Sequence, residues 1–494
     1  MPRTCSLSPF PLDPDEPEDR NVAAGASKRR PRPRSPPEEP PISTTHPTHD
    51  LDEREAADTC DAIVIGAGAA GLAAARAFAM RRLRVELLEA RPIVGGRAQS
   101  IDVPGLALPI ELGPEFVHGT PEVTLALLRE FGLALVGTGD DTWASDGTTL
   151  LPVGDGGGFA AENDLLRRCV AALAPGVDAS VDDALAAVAG PGDAAAVRST
   201  RALVAGFDAA DLSRASVRAV AAEWAGDASA SNGVSRVVGG YRALFAAFGR
   251  TLDPALVRLR LRTIVRDVAW RPGDVRVTAT GVDGSDRVIR APRCVITLPL
   301  GVLARDSVRF RPRLPDATQQ ALDLLAPGPV LKALLVFGSA WWERLENGRY
   351  RDGAYFNAPE SAAFGRYWTQ LPVRTPMLTA WAGGSKALPL TELGEAAVLS
   401  RALGDLGAVF GNAARAIARD ELVSAHLHDW QRDPFSRGAY SYALVGADDA
   451  RERLAQPIAR TLALAGEAPT TVAEAGTIAG ALLSGRRAVE LLVD

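Results

Sequence analysis

Residues 61–90, DAIVIGAGAAGLAAARAFAMRRLRVELLEA, constrain the fold more than any other stretch of this chain. DAIVI is a short apolar, β-branched run of the kind that forms a buried parallel strand. Gly66, Gly68 and Gly71 follow in the spacing GxGxxG, an alanine-rich helix is predicted over AAGLAAARAFAM, and RVELLEA reads as the next strand. In such a unit the glycines permit the tight turn, let backbone approach a pyrophosphate and let helix pack on strand, while the helix N-terminus offers partial positive charge. Glu89 lies 18 residues past Gly71, close to the roughly 20 expected of an acid that binds a ribose. Strand, turn, helix and acid together imply a dinucleotide site. The fingerprint alone does not choose between NAD and FAD.

At 494 residues the chain is too long for one core, so more than one domain is expected. A net charge of −6 gives no reason to expect nucleic acid or an anionic membrane as partner. The four cysteines, Cys5, Cys60, Cys169 and Cys294, have no metal-ligand spacing, which argues against a zinc site or disulfide framework and suits a reducing cytoplasm. No apolar run reaches the ~18 residues of a spanning helix. Residues 1–58 hold 12 of the 35 prolines and the tract SKRRPRPRSPPEEPP, and read as a disordered leader without an export signal.

A second feature is a single charge in an apolar run. Where this chain needs a cation it almost always has arginine; its only lysines are Lys28, Lys332 and Lys386. Lys332 sits in VLKALLVFG, which is apolar on both faces, as a strand covered on both sides should be. Burial disfavours the charged form of an amine, and arginine could not replace one that must titrate.

Beyond Glu89 the sequence resembles the flavin-containing amine oxidase family, which includes monoamine oxidases, polyamine oxidases and histone lysine demethylases. EARPIVGGRAQS matches the family's turn after the ribose acid, with Arg91, Gly95, Gly96 and Arg97 in place. IELGPEFVHG resembles a block near the flavin and substrate funnel, with Gly113, Glu115 and His118 at its positions, and with Pro114 and Phe116 as departures. RVVGGYRALFAAFGR resembles the return into the flavin domain, VRLRLRTIVRDVAW reads as a strand bearing the adenine-side Val265, and RCVITLPLGVLARDSVRFRPRLP resembles the exit loop. HDWQRDPFSRGAYSY and LALAGEAPTTVAEAGTIAGALLSGRRA match the last two blocks, with Trp430, Tyr440, Gly466, Glu467 and Thr477 at flavin-facing or cavity positions.

What the resemblance implies is an α/β chain: a Rossmann-like FAD-binding domain built from three separated segments (59–119, 233–303 and 430–494) and an α+β substrate-binding domain (120–232 and 304–429). FAD would be held by Gly66, Gly68, Ala70, Gly71, Glu89, Arg91, Gly96, Arg97, Gly113, Glu115, Val265, Trp430, Gly466, Glu467 and Thr477. Lys332 takes the place of the family's catalytic lysine, which holds a water against the flavin. Ala439 stands where animal monoamine oxidases carry the cysteine that bonds to the flavin, so FAD is expected to be non-covalent. His118, Trp381, Tyr440 and Thr477 would line the substrate cavity. The expected reaction is oxidation of a primary or secondary amine by hydride transfer to the flavin, with dioxygen as second substrate and hydrogen peroxide as product. Asp208, Asp211 and Glu223 are candidates to meet the distal cations of a polyamine, and equally suit a solvated helix surface. Competing readings are an amino-acid oxidase, for which GPEFVHG lacks the family's carboxylate-binding arginine, a desaturase-type FAD enzyme, and a non-catalytic FAD-binding scaffold. No metal site is expected.

Overall fold

Five short strands carry the nucleotide fingerprint in the computed structural model, which describes residues 58–153, 160–225, 233–305 and 307–494. Val257–Arg260, Val85–Leu88, Ala62–Ile65, Cys294–Ile296 and Leu462–Leu464 lie side by side in that spatial order, all parallel. Numbered along the chain the order is 3-2-1-4-5, the doubly wound arrangement whose order reverses beside the first strand, where ligands bind outside the carboxyl ends. The strands come from all three segments 59–119, 233–303 and 430–494.

Alternation along these strands separates two cores. Ala62, Val64, Leu87, Val295 and Ala463 face the helices Ala69–Met80, Gly240–Arg250 and Ile478–Val493. Ile63, Ile65, Leu88, Ile296 and Leu464 face a second, mostly antiparallel sheet that includes Ile264–Arg271 and Asp274–Thr280. Covered on both faces, the parallel strands are apolar at every position but Glu86 and Arg258, Arg260 on the outer pair.

The stretch VRLRLRTIVRDVAW differs from its expected single strand. It divides at Arg262, whose φ of 51° turns the chain, so Val257–Arg260 joins the parallel sheet and Ile264–Arg271 the antiparallel one. Nothing in the residue pattern marks that break, because the turn falls on an arginine and not on a glycine.

The remaining large sheet has seven strands in the order Leu422–Asp429, Val330–Phe337, Met377–Gly383, Arg366–Trp368, Tyr355–Asn357, Thr142–Ser145 and Leu150–Pro152. All seven come from 120–232 and 304–429. The lysine strand Val330–Phe337 has neighbours on both sides and is buried at all eight positions, so Lys332 does not snorkel from an edge. Four helices, Ala160–Ala172, Val181–Val188, Ala194–Gly206 and Val217–Trp224, form a separate cluster around Leu166, Leu185 and Trp224. Residues from Glu55 onward make one compact unit, and we propose its division into a nucleotide-binding and a substrate-binding part on this sheet membership. The expected leader lies outside the described residues except for Asp58, which pairs with Ile289. Among the described residues no helix is long and apolar enough to cross a membrane, and no cluster of potential metal ligands occurs.

Candidate active site

A single cavity of about 2760 Å³ runs from the glycine turn to the face of the seven-stranded sheet. That exceeds the ~300–1,000 Å³ of an ordinary small-molecule pocket and gives room for a dinucleotide together with a substrate.

At the nucleotide end the glycines leave no space for side chains. A Cβ on Gly71 would lie 1.7 Å from the carbonyl oxygen of Gly66, so the helix meets the strand at backbone distance. Gly96, with φ of +62°, brings its own turn against Gly68; a Cβ there would stand 3.2 Å from the Gly68 Cα. Two bare backbones thus face one another in front of the N-terminus of Ala69–Met80, a cradle suited to a pyrophosphate. Glu89, one residue past its strand, accepts from the backbone N–H of Ala67 at 2.7 Å and of Arg91 at 2.8 Å, which fixes its carboxylate at the cavity wall. Val265 lines the same wall, where the register of its strand shifts. These residues fit FAD.

Two arginines differ from a simple phosphate-facing role. Arg91 pairs with Asp433 at 2.7 Å and lies over the Phe435 ring. Arg97 pairs with Glu467 at 2.9 Å and donates to the Ala439 carbonyl. Glu467 in turn accepts from Ser441 and is held below the usual carboxylate range: burial pushes it up, but the charges of Arg97 and Arg451 outweigh that. Arg97 therefore braces the turn around Ala439 as well as lining the cavity. Thr477 caps the last helix, accepting from Gly480 N–H at 2.9 Å, so its hydroxyl is committed to the backbone. Trp430 donates to the Leu112 carbonyl at 3.2 Å, and its ring would touch any side chain placed on Gly113. Gly466, Ala70 and Glu467 line the cavity beside it.

Lys332 lines the cavity from within its strand. It is not a lone amine. Its Nζ lies 2.7 Å from Glu115 Oε2, both side chains being almost wholly enclosed. Glu115 receives four donors: Lys332 and Trp368 Nε1 on Oε2, Arg236 Nε and Gln370 Nε2 on Oε1. Burial pushes its carboxyl up, yet the Lys332 and Arg236 charges hold it down at about 2. Glu115 thus faces the lysine and also lines the cavity that holds the glycine cradle. Trp368 and Gln370 carry no local pattern that marks them as partners of Glu115. Trp368 ends the strand Arg366–Trp368 and Gln370 lies two residues beyond it, and only the tertiary fold brings both to Glu115.

The walls around Lys332 are aromatic. Trp381 pairs in register with Lys332, donates to the Gly206 carbonyl at 2.8 Å, and lies 5.9 Å from the Trp368 ring. Tyr440 donates its hydroxyl to the Phe207 carbonyl, and His118 meets the Phe207 ring edge-on at 5.6 Å. Burial, with Arg366 nearby, lowers His118 and keeps it neutral. Of the three acids considered for distal cations, Asp208 and Glu223 reach the cavity, and Asp211 instead stabilises an exposed turn at Ser213. Trp224 Nε1 donates to Asp208 at 3.0 Å. Burial and their mutual repulsion raise Asp208 well above the carboxylate range, and burial raises Glu223 to about 7.

Residues 69–493 match the family model for flavin containing amine oxidoreductases. Polyamine oxidase 3 of Oryza sativa subsp. japonica is 28% identical over 465 residues, which cover 88% of this chain and 90% of the relative. A putrescine oxidase solved with putrescine superposes with a TM-score of 0.72 at 21% identity, over 87% of this chain and 98% of the other. Cyclohexylamine oxidase from Brevibacterium oxydans IH-35A superposes with a TM-score of 0.71 at 19% identity, over 88% and 98%. Cradle, buried lysine and family match agree, and the chain belongs to the flavin-containing amine oxidoreductases.

Proposed function

We propose that the protein oxidises the carbon–nitrogen bond of a primary or secondary amine with non-covalently held FAD. The observation that carries this reading is Lys332, buried and paired with Glu115, opening between aromatic walls into a cavity that also holds the dinucleotide cradle. Bound FAD would accept the hydride that leaves the amine's α-carbon, and dioxygen would carry both electrons away as hydrogen peroxide. The nitrogen loses a proton as the carbon loses hydride; water then adds to the imine, and a carbonyl compound and an amine separate.

Tyr440 and Trp381 would hold the amine by the faces of their rings. Asp208 and Glu223, protonated while burial dominates, would ionise against an arriving ammonium group. Lys332, held in place by Glu115, would donate a hydrogen bond to the water that the site uses. Ala439 leaves the position of a flavin-linking cysteine empty of sulfur, and among the described residues no cysteine lines the cavity, which supports non-covalent binding.

The test is an anaerobic titration of the yellow protein, followed by the loss of its visible flavin band. Mono-, di- and polyamines form the panel, with polyamines and putrescine included because the rice relative and the putrescine oxidase are named for them. Bleaching by an amine, and peroxide on admitting air, are expected. A flavin that no amine bleaches would sink the proposal and favour the scaffold or desaturase readings.

A further inference from the structure

Arg366 is a cation of the cavity whose side chain meets no acid among the described residues. Arg366 stands in the strand Arg366–Trp368, opposite Trp381 on one side and Asn357 on the other. Trp381 is in turn opposite Lys332. Directly opposed residues of an antiparallel sheet point to the same face, so Lys332, Trp381, Arg366 and Asn357 form one row, and all four line the cavity. Two strand spacings, roughly 10 Å, separate the backbones of Lys332 and Arg366.

The guanidinium lies 4.6 Å over the ring of Tyr355. Its Nε is buried with no hydrogen-bond partner, and among the described residues no carboxylate pairs with it. Four other enclosed arginines, Arg91, Arg97, Arg236 and Arg260, each meet an acid, and Arg451, the most enclosed, donates to the Ser441 hydroxyl and to two carbonyls. A buried guanidinium left unpaired carries a large desolvation penalty, and an anionic ligand with fork-shaped oxygens is the group that relieves it. The surroundings suit such a ligand. His118 is neutral, Tyr355 brings a hydroxyl already hydrogen-bonded to Thr138, and Asn357 brings an amide. No acid stands in this group to repel an anion. The same cavity carries Asp208 and Glu223 beside Tyr440, so it offers groups for a cation as well as for an anion.

We propose that Arg366 is a specificity-determining residue that binds the carboxylate of the substrate, so that the amine this enzyme oxidises is an amino acid, of the α or ω type, and not a bare polycation. The inference rests on the amine-oxidase reading and narrows its substrate. A polyamine would have to bring its second cation into a cavity that already holds an unanswered positive charge. An amino-acid substrate was disfavoured by the absence of arginine from GPEFVHG; here the arginine arrives from a strand some 250 residues further on, in GRYWTQ.

The experiment compares matched pairs in anaerobic flavin reduction by the holoenzyme: 5-aminopentanoate with pentylamine, leucine with 3-methylbutylamine, and spermidine and putrescine as polycations. In the wild-type protein the carboxylate-bearing member of at least one pair should exceed its bare partner about tenfold or more in kcat/KM, the worth of a charge-assisted hydrogen bond. The leucine pair reports the α arm and the aminopentanoate pair the ω arm. Arg366→Met should bring that ratio to about one, with the loss in KM, and Arg366→Lys should keep part of it. Should Arg366→Met fail to fold, the wild-type ratios and the lysine variant decide alone. Bare amines or polyamines preferred by the wild type, or a ratio that Arg366→Met leaves unchanged, would overturn the assignment while the amine-oxidase reading stood. A flavin that none of these compounds reduces would overturn both.

Discussion

Replacing Glu115 by glutamine tests whether Lys332 depends on its counter-ion. The two side chains are 3% and 1% exposed and 2.7 Å apart, so neither charge is screened by water. Each carboxylate oxygen accepts from two donors. A glutamine has one oxygen and one NH₂, and whichever way it turns, the NH₂ faces two donors and leaves Lys332 Nζ or Arg236 Nε without its carboxylate acceptor, the remaining acceptors being backbone carbonyls. Removing one partner of a buried pair costs about 3–5 kcal/mol. Unfolding entropy of ~2.1 cal/mol/K per residue, taken over the unit Glu55–Asp494, amounts to about 0.9 kcal/mol per kelvin, so Tm should fall by about 3–5 °C. Calorimetry of the FAD-loaded protein measures this directly. The cycle is completed with Lys332→Met and the double variant, which removes both charges together. The double variant should lose less than the two single losses combined, by about 2 kcal/mol or more. A Glu115→Gln protein within about 1 °C of the parent, or strictly additive losses, would refute the claim that the pair is enclosed and coupled.

Gly71→Ala sets a methyl group 1.7 Å from the Gly66 carbonyl oxygen, so helix and strand must part; the purified protein should lose most of its flavin, read as the ratio of visible to ultraviolet absorbance. Thr477→Ala removes the cap of the last helix and should lower stability by about 1 kcal/mol in denaturant titration. Burial raises Glu223 to about 7, above the ~4.3 of an unfolded glutamate. Between those values the folded chain binds the extra proton, so this group's contribution to stability falls as pH rises from about 4 to 7 and levels off above. Glu223→Gln should therefore gain on the parent at pH 8 relative to pH 5 in thermal unfolding, and an equal difference at both would refute the raised value. Lys332→Met should slow flavin turnover by more than tenfold while visible flavin content is retained, because Lys332 lines the cavity and touches no residue of the glycine cradle.

The parts of this fold that were legible in sequence are those fixed by local pattern. DAIVI, the three glycines and the alanine helix announce themselves within thirty residues, since backbone geometry at Gly66 and Gly71 admits nothing larger. The lysine strand could be read too, because a charge flanked on both sides by aliphatic residues has few solvated places to go. What stayed hidden depends on which strand lies beside which. Arg262 breaks a continuous β-rich stretch with no glycine or proline to mark it. Trp368 and Gln370 carried no local signal, because only the fold brings them to Glu115.

Arg366 shows the same limit at the point where it bears on substrate choice. A motif assigns a role to a residue by its place in one segment, and a cavity assembles its charges from several. Searching GPEFVHG for an arginine asks whether one segment supplies the carboxylate partner. The row Lys332–Trp381–Arg366–Asn357 comes from four strands with three different sequence separations, and no spacing rule connects them. Charge balance can still narrow the search. Within the enclosed cavity Lys332 is answered by Glu115 and Arg97 by Glu467, while Arg366 is not. An unanswered buried cation costs free energy in the free protein, and a bound anion returns it on ligation. That asymmetry is the reason to expect that this member of the family selects its amine by the acid attached to it.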